Sequence, residues 1–454
     1  MASFTSLGFL FRFLPIFLIV YYFVPSKFKN LVALLGSLVF YSLGEPIFVF
    51  LLIFLSLVNF FIANASCRAK KSTSKKKNRP KIYLILVILL DLISLVTFKV
   101  LIAAGFNVLL PLGLSFYTFK MLSYQIDVYR GTIKEGPPIL EVITYFCIFP
   151  QVAEGPIMRF REGDFFDEKK ITLLNIENGL RYFIPGLAMK VLLADRIGIL
   201  WNDLGMYGYE SISTPLAWLG AFAYSFELYF DFWGYSLMAS GLMVAMGYEF
   251  IENFNHPYAS NSISEFYRRW HITLGSFFRD YVYFPLGGSR TSKPKMVLNL
   301  SLVWILTGIW HGNSLNFILW GVILGLFIIL EKLFYGEFLK KNRIIGNIYV
   351  LILIPLSWVV FAISDFPKMG TYFSRLFPFF TTAQVVDQGD IFTYLGDYWY
   401  LIIAAVLLCI PKITDLFRKY KDTVAVKILL VLLFWYSVYF CTISEGNPFM
   451  YLNF

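Results

Sequence analysis

Apolar runs long enough to cross a bilayer recur along this chain, separated by short polar turns. Residues 82–100, 314–330 and 345–363 are examples, and backbone at that depth survives only where its polar groups are satisfied internally. Charged residues make up only 15% of the chain, against about a quarter in soluble domains. These features predict an all-α polytopic membrane protein with about eleven crossing segments and one or two re-entrant ones. No internal repeat is visible, which counts against an inverted-repeat transporter.

The expected segments can be placed in order. Residues 9–24 contain Arg12 and lack a small-residue cleavage site, so they read as a retained first helix. Residues 31–43 and 47–62 form a hairpin about the turn at 44–46. Residues 82–100 carry Asp91, and residues 106–120 are interrupted by Pro111 and Gly113. A polar, cytoplasmic stretch starts near Tyr124. Residues 139–155 end in proline and glycine around Glu154, which predicts a broken or re-entrant segment. Residues 173–193 are expected to kink at Pro185. A break at Trp233-Gly234 divides 216–232 from 237–250. The last spans are 345–363, 398–410 and 425–442, with a polar segment at 364–397. We read 1–454 as one integral membrane domain: N-terminal helices 1–138, a core 139–331 and C-terminal helices 332–454.

Net charge is +10, but eight positive residues and no acidic one fall within 68–81, so the rest of the chain nets only +2. Such a loop belongs on the cytoplasmic face. Lys27, Lys29, Arg418, Lys419 and Lys421 agree, which puts both termini and the 364–397 segment outside the cytoplasm. A basic surface spread over a fold is absent, which argues against nucleic acid as a partner. The four cysteines form no CxxC pair and read as buried thiols rather than metal ligands or a disulfide.

Residues 229–313 carry all three histidines, His256, His271 and His311. His311 follows a run, 296–310, without an ionisable side chain. An imidazole at or near membrane depth is a functional candidate by default. It can take a proton from an acceptor hydroxyl and return it to a leaving thiol. Trp310 can wall a cavity, Gly312 can leave room for substrate, and Asn313 can orient the imidazole or donate to an oxyanion. His271 reads as a second base, a positioning group or a buried partner, and His256 as a loop residue. Residues 263–283 predict one amphipathic helix rich in arginine and aromatics, with Ser262 and Ser264 as capping candidates. Arg268 and Arg269 either meet lipid phosphate or receive an anionic donor. Tyr229 and Asp231 are candidate substrate contacts, and Asp231 with Glu227 could pair with an arginine or line a polar cavity. No GxSxG, HExxH, Walker or Rossmann pattern is present, and the histidine spacing suits no metal site.

The ordered blocks YFDFWGYS, ENFNHPY, SISEFYRRWHITLGSFFRDYVYFPLGG and WHG resemble the membrane-bound O-acyltransferase family, in particular its alginate-O-acetylase branch. QVAEGPIMRF upstream and NPFMYLNF at the end resemble the same branch. Glu154, Glu227, Trp233 and the WVVFA at 358–362 depart from its commoner residues. The resemblance implies a ring of tilted helices around a thin centre, with a cytoplasmic funnel meeting an outer one. It also puts the family's invariant histidine at His311 and its second motif histidine at His271. It implies transfer of an acetyl group from an intracellular thioester, acetyl-CoA or an acyl-carrier protein, with no permanently bound cofactor. The acceptor would be a cell-surface polysaccharide, or a relay partner such as an extracytoplasmic SGNH-type acetyltransferase. D-alanyl transfer to teichoic acid and a non-enzymatic polysaccharide-export scaffold are the alternatives.

Overall fold

The computed structural model describes residues 3–71, 78–133, 136–163, 171–380, 386–387 and 389–443. Every regular element among them is helical. Among the described residues, six helices are long and apolar enough to cross a bilayer: Phe48–Lys71, Arg79–Ala103, Leu315–Lys341, Arg343–Ala362, Asp390–Cys409 and Val424–Ile443. The chain is therefore a multi-pass membrane protein. Residues 72–77 of the basic loop and the tail 444–454, which carries NPFMYLNF, lie outside the described residues.

The chain divides into two compact units. The first comprises Met1–Ile184, Tyr235–Glu252 and Cys441–Leu452. Here Phe149 is ringed by Phe13, Phe17 and Phe40 at centroid distances of 5.1–5.4 Å. A buried polar network ties three helices to one register. Asn59 Nδ2 donates to Asp91 Oδ1 at 2.9 Å, and Gln125 Nε2 donates to Asn59 Oδ1 at 2.9 Å. Away from water, each of these bonds is costly to leave unmade.

Two expected segments have other bounds in this unit. Residues 106–120 are not one span, because residues 104–113 are non-helical and the helix Leu114–Arg130 begins only after Gly113. Gly113 is left-handed, with φ of 67°, and a Cβ there would stand 1.8 Å from the Val152 carbonyl oxygen. No other residue fits that contact. The polar stretch that starts near Tyr124 begins as the last turns of this helix, which ends at Arg130. Gln125 and Asp127 are buried there, and Gln125 bonds to Asn59 on a neighbouring helix, so low hydropathy misreports their depth. The broken segment at 139–155 appears as expected, with helices Ile139–Cys147 and Phe149–Val152 followed by irregular backbone. Buried Lys120 donates to Gln151 Oε1 at 3.0 Å.

The second unit comprises Pro185–Gly234 and Asn253–Phe440. The expected break at Trp233-Gly234 is absent, and Thr214–Ala245 is one continuous helix. Gly234 serves close packing instead: a Cβ there would lie 2.7 Å from the Gly186 carbonyl oxygen. Beyond Pro185 the backbone widens into a π-helical turn, Met189–Ala194. Among its described residues, the polar 364–397 segment contains the helix Phe366–Leu376 and the first turns of Asp390–Cys409. Asp365 caps the former by accepting from the Lys368 amide.

Candidate active site

The 263–283 stretch is not one helix. It forms Ile263–Arg269, Ile272–Phe278 and the π-helical Arg279–Tyr283. Between the first two, Trp270 is extended and His271 is left-handed, with φ of 45°. Among the described residues, only His256 and His271 are non-glycine residues with positive φ. Such a backbone persists only where its surroundings enforce it. Neighbouring chain does so here: the Asn255 amide donates to the Arg269 carbonyl, and the Ile272 amide to the Asn253 carbonyl, each at 2.9 Å. Ser262 caps the first short helix by accepting from the Glu265 amide. Ser264 plays a different part from the cap expected of it. Its amide and that of Ile263 donate to the buried Glu331 carboxylate, at 2.9 and 2.6 Å.

The break turns His271 inward, where it is 3% exposed. Its Nδ1 lies 3.1 Å from Asn253 Oδ1, and its ring meets Phe232 edge-on at 4.7 Å. His271 sits outside the six long apolar helices, and burial pushes its imidazole down to about 3. It is therefore neutral at physiological pH.

His311 closes the helix Lys293–His311. Its ring is packed by Trp310, Trp320 and Phe361, at centroid distances of 4.7, 5.0 and 5.3 Å. Gly312 does not open space for substrate as expected, since the Phe317 ring already lies where a Cβ would stand. The helices on either side of the histidine meet through glycine. A Cβ on Gly308 would lie 2.5 Å from the Phe317 carbonyl oxygen, and one on Gly321 2.5 Å from that of Trp304.

Both imidazoles line one cavity of about 610 Å³. Its lining has a cationic rim and an aromatic interior. Arg268, Arg279, Lys332 and Lys340 are exposed, whereas His271, His311, Trp270, Trp304 and Trp320 are buried. Such a cavity suits a ligand with an anionic end and a compact, weakly polar reactive end.

Residues 130–363 match the model of the membrane-bound O-acyltransferase family, a span that contains the whole cavity lining. The chain belongs to that family. It is thus an O-acyltransferase. A probable alginate O-acetylase (AlgI) of Pseudomonas fluorescens is 36% identical to it, over 83% of this chain and 76% of the relative. A peptidoglycan O-acetyltransferase of Helicobacter pylori is 31% identical over 78% and 75% respectively. A teichoic acid D-alanyltransferase of Bacillus subtilis is 30% identical over 48% of this chain and 57% of its own length.

The structure brings His271, His311 and Arg268 together on the cavity. Trp310 touches both imidazole rings, at 6.2 Å from His271 and 4.7 Å from His311, from just outside the lining. Arg269 is turned away and ion-paired with Glu265 at 2.7 Å. Asn313 is exposed beyond the helix end and off the lining. Asp231 is also off the lining, and its partner is a lysine rather than an arginine. Lys190 Nζ lies 2.5 Å from Asp231 and 2.7 Å from Asp195, all three screened from bulk solvent. Tyr229 is fully buried and stacks on Trp233 at 5.1 Å. His256 is held by the Thr414 hydroxyl at 2.7 Å, away from the cavity. Sequence reasoning missed Lys340 on the rim and Asn253 beneath His271, and it did not single out Glu331 and Lys332 on the lining, just beyond the apolar run 314–330. Asn253 sits in the quoted ENFNHPY block, and Glu331 and Lys332 interrupt an apolar run, so both signals were present.

Proposed function

We propose that this enzyme takes an acetyl group from a cytoplasmic thioester and delivers it to a polysaccharide hydroxyl outside the cell membrane, directly or through a relay protein. The observation carrying this reading is that His271 and His311 share one cavity with a cationic rim. The rim receives the phosphate of a pantetheine-type donor, either acetyl-CoA or an acyl-carrier protein, and the compact acetyl thioester points inward. His311 is the general base: it removes the acceptor hydroxyl proton as the oxygen attacks the thioester carbonyl. The tetrahedral intermediate collapses with loss of the thiolate, which His311 reprotonates. His271, neutral and backbone-fixed, orients the reacting groups. An extracytoplasmic partner, such as an SGNH-type acetyltransferase, would accept the group where the chain does not reach the polymer itself. In this reading tilted helices ring a central tunnel, with both termini outside.

The test is labelled acetyl transfer by purified His311→Gln and His311→Ala in proteoliposomes. Glutamine keeps a hydrogen bond but cannot carry the proton, so both variants should lose about 10²- to 10⁴-fold in rate. Wild-type transfer by a monodisperse His311→Gln protein would refute the assignment. Similarity to the Bacillus subtilis D-alanyltransferase supports a second reading, D-alanyl transfer to teichoic acid, but covers only 48% of this chain. Transfer of D-alanine and not acetate from a carrier thioester would favour it.

A further inference from the structure

The three contacts made by Asn253 carry an inference about the state of His271. Asn253 is 3% exposed, and its Oδ1 is approached by three groups. These are the Thr273 amide at 3.2 Å, the Thr273 hydroxyl at 2.9 Å and His271 Nδ1 at 3.1 Å. A backbone amide can only donate, so the atom facing it must be the carboxamide oxygen; the flipped amide would set two N–H groups against each other. An oxygen already accepting from the amide can only accept from the ring as well. Nδ1 of His271 must then carry the proton, and Nε2 the lone pair.

The backbone makes this pairing hard to escape. Asn253 also accepts from the Ile272 amide through its own carbonyl, so both its side chain and its main chain hold the turn in which His271 is left-handed. Thr273 lies one residue beyond that amide and brings its hydroxyl to the same oxygen. Six atoms of residues 271–273 and 253 are thus fixed around one ring orientation.

We propose that Asn253 is a positioning residue that holds His271 as the Nδ1-protonated tautomer and presents Nε2 to the cavity as a hydrogen-bond and proton acceptor. The tautomer is set by the fold before any substrate binds. Acceptance at Nε2 suits a group that holds the acceptor hydroxyl or receives its proton, and it excludes His271 as a donor to an oxyanion unless it is first protonated. This inference rests on the reading of the cavity as the acyl-transfer site, although the tautomer itself does not.

Because the chain has only three histidines, the tautomer can be read directly by ¹⁵N NMR of histidine-labelled protein, with His271 assigned by its loss in His271→Gln. Wild-type protein should show Nδ1 protonated and Nε2 bare. Asn253→Leu should lose that pure state and drop about 10- to 10²-fold in kcat with KM little changed. Asn253→Asp keeps an acceptor oxygen and should retain kcat within about threefold. An Nε2-protonated His271 in wild type, or an undiminished kcat in folded Asn253→Leu, would overturn the proposal. The wild-type spectrum decides the matter even if Asn253→Leu fails to fold. If instead His271→Gln transfers like wild type while the spectrum is as expected, the role given to His271 in transfer has failed and the tautomer assignment stands.

Discussion

Gly308→Ala probes whether the position of His311 is set by helix contact. Alanine is the better helix former by about 1 kcal/mol, so a glycine in mid-helix that touched nothing would gain stability on substitution. Gly308 touches a great deal. An added methyl would stand 2.5 Å from the Phe317 carbonyl oxygen and 3.0 Å from the Ile318 Cα, both backbone atoms that cannot swing aside. The two helices would have to part by about 0.5–1 Å, and overpacking of that kind costs about 1–3 kcal/mol. The net expectation is a loss of up to about 2 kcal/mol once the propensity gain is subtracted. His311 lies one turn further on, so the same parting moves its imidazole against the cavity wall. A misplacement near 1 Å can cost about 10²-fold in rate. Thermal unfolding and initial rate of acetyl transfer, measured on detergent-purified protein, read the two effects separately. Gly370→Ala, with open space around its Cβ, is the control and should be neutral or slightly stabilising. A Gly308→Ala protein as stable and as fast as the Gly370→Ala control would refute the claim that this contact places the histidine.

The two adjacent arginines should separate cleanly. Arg268→Gln should raise the apparent KM for the thioester donor about 5- to 10-fold with little change in melting temperature, as expected for a lost charge-assisted contact at the rim. Arg269→Gln breaks a half-exposed pair with Glu265, so it should cost no more than about 1 kcal/mol and leave donor KM unchanged; the reverse pattern would disprove the assignment. Orientation can be tested with a cysteine replacing Lys75. It should react with an impermeant thiol reagent only from the cytoplasmic side, and labelling from outside alone would invert the proposed direction of transfer.

The class of fold was plain in the sequence because it rests on the crudest signal, the length and purity of apolar runs. What misled was polarity inside the protein. Tyr124 to Arg130 reads as polar by hydropathy, yet Gln125 and Asp127 are buried there, with Gln125 bonded to Asn59 on a neighbouring helix. Windowed hydropathy counts such residues as if they faced water. Trp233-Gly234 misled for the opposite reason. A glycine amid aromatics reads as a break, but next to Gly186 it is what lets two backbones touch. Asp365 ahead of Phe366-Pro367 is a legible helix start, a capping side chain before a proline in the first turn.

The site divides along the same line between local and tertiary causes. Arg268 and Arg269 differ by one position, and their difference was available from sequence: Glu265 stands four residues before Arg269 and three before Arg268, and the observed ion pair is the i,i+4 one. That pairing spends Arg269 within its own helix and leaves Arg268 to face the cavity. His271 offered no such clue. A continuous helical reading of 263–283 places it on the arginine face, and nothing in the local residues forbids that helix. It is ended by hydrogen bonds from 253–255, whose backbone claims the Arg269 carbonyl and the Ile272 amide. Those bonds are non-local, so local propensity cannot register them. They rotate the imidazole off the arginine face into the buried interior. The outcome is a cavity in which positive charge stays at the rim and two neutral-capable rings lie within, an order that follows from which hydrogen bonds end the helix.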